Sequence, residues 1–194
     1  MLREEELMKF QLIKLATIML LAAQCACTAV KGDAIKKEAS GDELITNYKH
    51  WTRVNPVPAV FDANVAAMCA AANLGAVKND PHRDKFLTVF VNEIGRKSMM
   101  EDKAPHFPQG SVIVKEKLPA KDSPSPELLT VMMKREAGFN PENGDWEYLV
   151  FDGAGKQVQT RGRLDNCQAC HTMMAHTDFV YRSYLPAELR AKLR

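Results

Sequence analysis

Short segments rich in β-branched and aromatic residues recur through the second half of the chain. The stretches between them carry turn residues and are mostly too short for the crossover of a dozen or more residues that parallel strands need. Phe86-Leu87-Thr88-Val89-Phe90-Val91 is the clearest such segment. Ser111 to Leu118, Leu128 to Arg135, Trp146 to Phe151 and Asp178 to Tyr184 are the other strand candidates. Pro108-Gln109-Gly110, Ser123-Pro124-Ser125-Pro126, Asn143-Gly144 and Gly153-Ala154-Gly155 supply turn chemistry between them. Three helices accompany these strands. Asp42 can cap one with Leu44, Ile45, Tyr48 and Trp51 on one face, broken by Asn55-Pro56-Val57-Pro58. A second runs from about Asp62 through Val65, Met68, Cys69 and Ala72 to Gly75, and Pro186 starts a last one with Leu185, Leu189 and Leu193 in a stripe. The expected fold is α+β: residues 42–194 form a single domain with a predominantly antiparallel β-sheet and flanking helices.

The N-terminus reads as an export signal. Lys9 and Lys14 precede an uncharged stretch from Leu15 to Val30, and small residues cluster at Ala26-Cys27-Thr28-Ala29. The uncharged stretch is shorter than the ~20 residues that span a bilayer. Residues 1–29 are therefore expected to be a signal peptide and 30–41 a linker, with a periplasmic destination favoured over a membrane anchor. The acidic run Glu4-Glu5-Glu6 does not suit such a signal, which points to Met8 as the true start. With 26 basic and 24 acidic residues, the net charge of +2 leaves no electrostatic footprint for nucleic acid.

Cys167-Gln168-Ala169-Cys170-His171 has the C-x-x-C-H spacing of c-type haem attachment. Two thiols can add to the porphyrin's vinyl groups, and the adjacent imidazole then lies under the iron. The expected cofactor is one covalently attached haem c, with Cys167 and Cys170 as tethers and His171 as axial iron ligand. Structural zinc would need two more ligands, which Cys69 and one of His50, His82, His106 or His176 could supply. A redox dithiol would sit more naturally in a βαβ unit. An electron carrier would need a sixth ligand. The methionine pairs Met99-Met100, Met132-Met133 and Met173-Met174 are candidates that fit core packing better.

Phe107-Pro108-Gln109-Gly110-Ser111-Val112-Ile113-Val114-Lys115-Glu116-Lys117, the late haem motif and Thr177-Asp178-Phe179-Val180-Tyr181 together resemble the cytochrome P-460 family over roughly Lys85 to Leu185. The resemblance implies a β-rich, usually dimeric protein with a pentacoordinate haem. It implies oxidation of hydroxylamine to nitric oxide or nitrous oxide and a lysine joined covalently to the porphyrin edge. Lys115 matches that lysine. On a strand of period two it shares a face with Ile113 and Lys117, opposite Val112, Val114 and Glu116. A soluble redox partner such as another cytochrome c would take the electrons. The β-type cytochromes c-prime share this fold and imply the alternative, a module binding nitric oxide or carbon monoxide.

Hydroxylamine oxidation would benefit from a distal carboxylate base. The stretch before the haem motif offers Arg161-Gly162-Arg163-Leu164, and Asp165 lies close to the attachment turn. Glu136, Glu147 and Asp152 read as solvated loop or strand-end charges, so the sequence names no base. Cys69 reads as buried core, His176 as a surface residue, and Asp178 as an anchor for the strand that follows it.

Overall fold

The computed structural model describes residues 41–60 and 85–194. The expected signal segment, nearly all of the linker, the helix expected after Asp62 and Cys69 lie outside the described residues. Among the described residues seven strands form one sheet. They are β1 (Thr52–Arg53), β2 (Ala59–Val60), β3 (Phe86–Val91), β4 (Val112–Leu118), β5 (Leu128–Lys134), β6 (Trp146–Asp152) and β7 (Val158–Gly162). The spatial order is β1-β3-β4-β5-β6-β7, with β2 also paired to β3, and every pairing is antiparallel. Helices α1 (Gly41–Ile45), α2 (Glu93–Met100), α3 (Asp165–His171) and α4 (Ala187–Lys192) accompany the sheet. This is the α+β domain the strand spacing predicts.

Both faces of the sheet are covered, which is why its central strands β3, β4 and β6 are buried almost throughout. On the first face Val89, Val91, Ile113, Met132, Trp146 and Tyr148 pack with Met99, Phe107, Val180 and Leu185. Phe107 and Trp146 meet edge to face at 5.5 Å, a contact worth about 0.5–1.5 kcal/mol beyond its burial. On the second face Phe90, Val112, Val114, Leu129, Val131, Leu149 and Phe151 pack with Ile45 and Tyr48. The only break in apolar packing there along β4 is Glu116, whose carboxylate accepts a 2.7 Å hydrogen bond from the Tyr48 hydroxyl. Asn92 ends β3 and caps α2. Its Oδ1 accepts from the backbone of Gly95 (3.1 Å) and Val112 (3.0 Å), while its amide donates to the Gly110 carbonyl at 2.9 Å. One side chain thus fixes the strand–helix junction against the start of β4.

Several expectations need correction. Asp178 to Tyr184 is not a strand, because Asp178 (φ 53°) and Phe179 (φ 64°) adopt left-handed backbone conformations that no extended strand accommodates. The first helix stops at Ile45, and a separate 3-10 turn, Tyr48–His50, follows Thr46 and Asn47, which favour turns over helix interiors. The edge strand β7 contains Gln159, Thr160 and Arg161 and has no apolar alternation to announce it. Pairing with β6 holds it in place.

Candidate haem site

Helix α3 carries the haem motif, so Cys167 and His171 stand one turn apart on one side and Cys170 lies adjacent. The helix is held from outside at several points. The Asn140 amide donates to the Trp146 carbonyl (2.9 Å) and to Gln168 Oε1 (2.8 Å). Thr172 Oγ1 donates to Asn143 Oδ1 at 3.2 Å, and the Tyr181 hydroxyl donates to the Cys170 carbonyl at 2.9 Å. Cys167 is a free thiol, so the two motif cysteines are not joined to each other.

His171 is oriented as an iron ligand needs to be. Its Nδ1 lies 2.7 Å from the Phe179 carbonyl and donates to it, which leaves a lone pair on Nε2 that could coordinate a metal. The rings of Tyr148 and Tyr181 flank it at 5.3 Å each. Burial pushes the imidazole down to about 4, against the opposing Phe179 carbonyl and with a contribution from the Lys115 charge. The ring is therefore neutral at physiological pH.

Lys115 is on the same face of the sheet, as the period-two alternation predicts. Its register partners are Val89 on β3 and Thr130 on β5. The side chain as a whole is partly shielded, and burial around the ammonium lowers its pKa, partly countered by the nearby Cys167. Burial raises the Cys167 thiol while Lys115 and then Lys117 pull it back. Tyr148 is raised by burial and further by Cys167. Lys115, Lys117, Tyr148, Cys167 and His171 thus meet in one low-dielectric cluster. Sequence reasoning missed Tyr148, Tyr181 and Lys117 as members. Tyr148 was legible in principle, since it alternates with Trp146 and Val150 on a strand that pairs with β5.

The acids lie elsewhere. Glu147, read from sequence as solvated, is 3% exposed on the second face between Arg135 and Arg161. Asp152 holds its own turn, accepting from the backbone of Lys156 and Gln157. Glu136 and Asp165 are exposed. His176 is a surface residue as expected, Met99 and Met132 are core residues, and Met173 is exposed. Among the described residues no three His, Cys, Asp or Glu side chains gather as metal ligands. No described helix is long and apolar enough to cross a membrane.

The Asn143-Gly144 turn passes against the residues behind His171. Gly144 has φ 61°, and a Cβ there would lie 2.6 Å from a ring carbon of Phe179 and 2.8 Å from Asp178 Oδ1. Gly144→Ala should destabilise the fold by more than the about 1–2 kcal/mol of a left-handed backbone alone. Thermal unfolding measures this.

A C-x-x-C-H helix laid against an antiparallel sheet, with its histidine's Nδ1 already engaged, defines the class of c-type haem proteins. Within that class the chain belongs to the Cytochrome P460 family, whose model matches residues 70–182, more than half of the chain. No curated protein matches it. The residues present fit the haem that this family carries. His171 presents Nε2, and Cys167 supplies a free thiol beside it. The Thr130 and Tyr148 hydroxyls, on the same face, are buried without a hydrogen-bond partner.

Proposed function

We propose that this protein is an exported, periplasmic mono-haem cytochrome that oxidises hydroxylamine to nitric oxide or nitrous oxide at a pentacoordinate iron. In this reading Lys115 is joined to the porphyrin edge, and Cys167 and Cys170 form the thioether tethers. His171 is the proximal ligand, and the electrons pass to a soluble partner such as another cytochrome c. The protein works as a homodimer. The observation that supports this reading is the convergence of Lys115, Cys167 and His171 on one face of the sheet. Bound haem supplies the redox-active iron. The chain's own part is to hold His171 neutral with Nε2 outward, to keep water from the ring with Tyr148 and Tyr181, and to bring a desolvated amine to the cofactor's edge.

A second reading is a nitric oxide or carbon monoxide binding module. The position of Glu147 favours it, because this buried carboxylate faces away from the cluster and is committed to two arginines. The absorption spectrum of the exported protein, oxidised and then dithionite-reduced without oxygen, decides between them. A strongly red-shifted ferrous Soret band with turnover of hydroxylamine supports the enzyme. An ordinary high-spin c-type spectrum that responds to nitric oxide, without turnover, moves the assignment to gas binding. Cys167→Ala combined with Cys170→Ala should abolish haem that survives denaturing electrophoresis.

A further inference from the structure

The conformation behind His171 is unusual and is held by charge. Two consecutive non-glycine residues, Asp178 and Phe179, are left-handed, which costs roughly 1–2 kcal/mol per residue unless the surroundings enforce it. It is the second of these whose carbonyl receives the His171 Nδ1–H. The enforcing contacts converge on Asp178. Lys134 Nζ lies 2.7 Å from each carboxylate oxygen, with both side chains under 10% exposed. The Phe107 backbone N–H donates to Oδ2 at 2.7 Å, and the Trp146 indole donates to the Asp178 carbonyl at 2.8 Å. The Lys134 ammonium also sits over the Trp146 ring at 5.1 Å. His106, 3.7 Å from Oδ2, is largely exposed and leaves the pair intact.

We propose that Asp178, anchored by Lys134, is a positioning residue for the axial histidine. By locking the left-handed pair it aims the Phe179 carbonyl at Nδ1, and so sets the ring plane and donor strength of His171 toward iron. A hydrogen bond at Nδ1 raises the basicity of the coordinating nitrogen, so its loss weakens the iron–histidine bond and favours the ferrous state. The inference rests on the haem reading, and the test separates the two.

The full-length, haem-loaded chain is compared with Asp178→Ala, Asp178→Asn and the paired Lys134→Met/Asp178→Asn. Each is scored first for covalent haem and for Tm. In Asp178→Ala the ferrous iron–histidine stretching band should move to lower frequency and broaden, and the midpoint potential should shift upward. The paired variant keeps an acceptor for Phe107, tolerates the left-handed backbone and strands no ammonium, so it should recover the parental band even if its Tm differs. A folded Asp178→Ala with parental band and potential overturns the proposal and leaves Asp178 a fold residue. Absence of attached haem in the parent protein would overturn the haem reading instead. The exchange-protected His171 Nδ1–H resonance of the parent chain, expected to vanish in Asp178→Ala, would then decide the positioning claim alone. Its persistence would overturn the claim.

Discussion

Lys115→Arg should leave haem attached while removing the red-shifted ferrous Soret band, and hydroxylamine oxidation should fall to background with it. In the proposed linkage the amine would add across a double bond of the porphyrin edge, its nitrogen to one carbon and its proton to the neighbouring ring position, which needs the neutral amine. Burial lowers the Lys115 pKa and makes that form accessible. A guanidinium with a pKa above about 12 stays charged in the same place and offers no such nucleophile. The proposed tethers Cys167 and Cys170 and the proposed ligand His171 are untouched, so the haem count per chain should equal that of the parent. Lys117 is the internal control. It lies two residues along β4 on the same face, is 2% exposed, and also acts on the Cys167 thiol. Lys117→Arg should retain the band. A band that survives Lys115→Arg and disappears in Lys117→Arg would move the linkage to Lys117. Survival in both variants would remove the cross-link from the mechanism.

The four long strands β3 to β6 were readable because they are built from β-branched and aromatic residues between strong turn signals, whereas the short β1 and β2 and the polar β7 were not. The face carrying Lys115 followed from period two alone. The haem motif was readable because its chemistry fixes its spacing. What escaped was determined by partners distant in sequence. Glu93 to Met100 forms a helix despite Gly95 because Asn92 caps it and Met99 is buried in the core. Phe179 to Tyr184 has the composition of a strand, yet Lys134, 44 residues before Asp178, draws that carboxylate into a buried pair and bends the chain behind His171. Glu147 looked like a strand-end charge. Its partners Arg135 and Arg161 arrive only when β5 and β7 pair on either side of β6.

That last pairing makes Glu147 a buried carboxylate held by two arginines. Arg135 Nη1 lies 2.6 Å from one carboxylate oxygen. Arg161 reaches both oxygens, at 2.8 and 3.0 Å. Burial by itself would raise the carboxyl pKa. Hydrogen bonds and charge from Arg161 and Arg135 together outweigh it and leave the value below the ordinary 4.5. Glu147→Gln keeps the shape and removes the charge, so a mostly buried Arg135 loses its shortest carboxylate contact and keeps Glu136 at 3.3 Å. The cost should be about 3 kcal/mol, the low end for a broken buried pair because Arg161 retains some solvent access. For a domain of this size that is a Tm lower by roughly 6–12 °C at pH 7. Because the folded pKa is depressed, the carboxylate's stabilisation is fully present above pH 4.5 and fades as acid titrates it through the lower folded value. The Tm gap between parent and variant should therefore narrow below pH 4.5, and a gap that stays constant into stronger acid would contradict the assignment. The ferrous spectrum should match the parent's throughout, because Glu147 faces the second side of the sheet and Lys115 and His171 occupy the first.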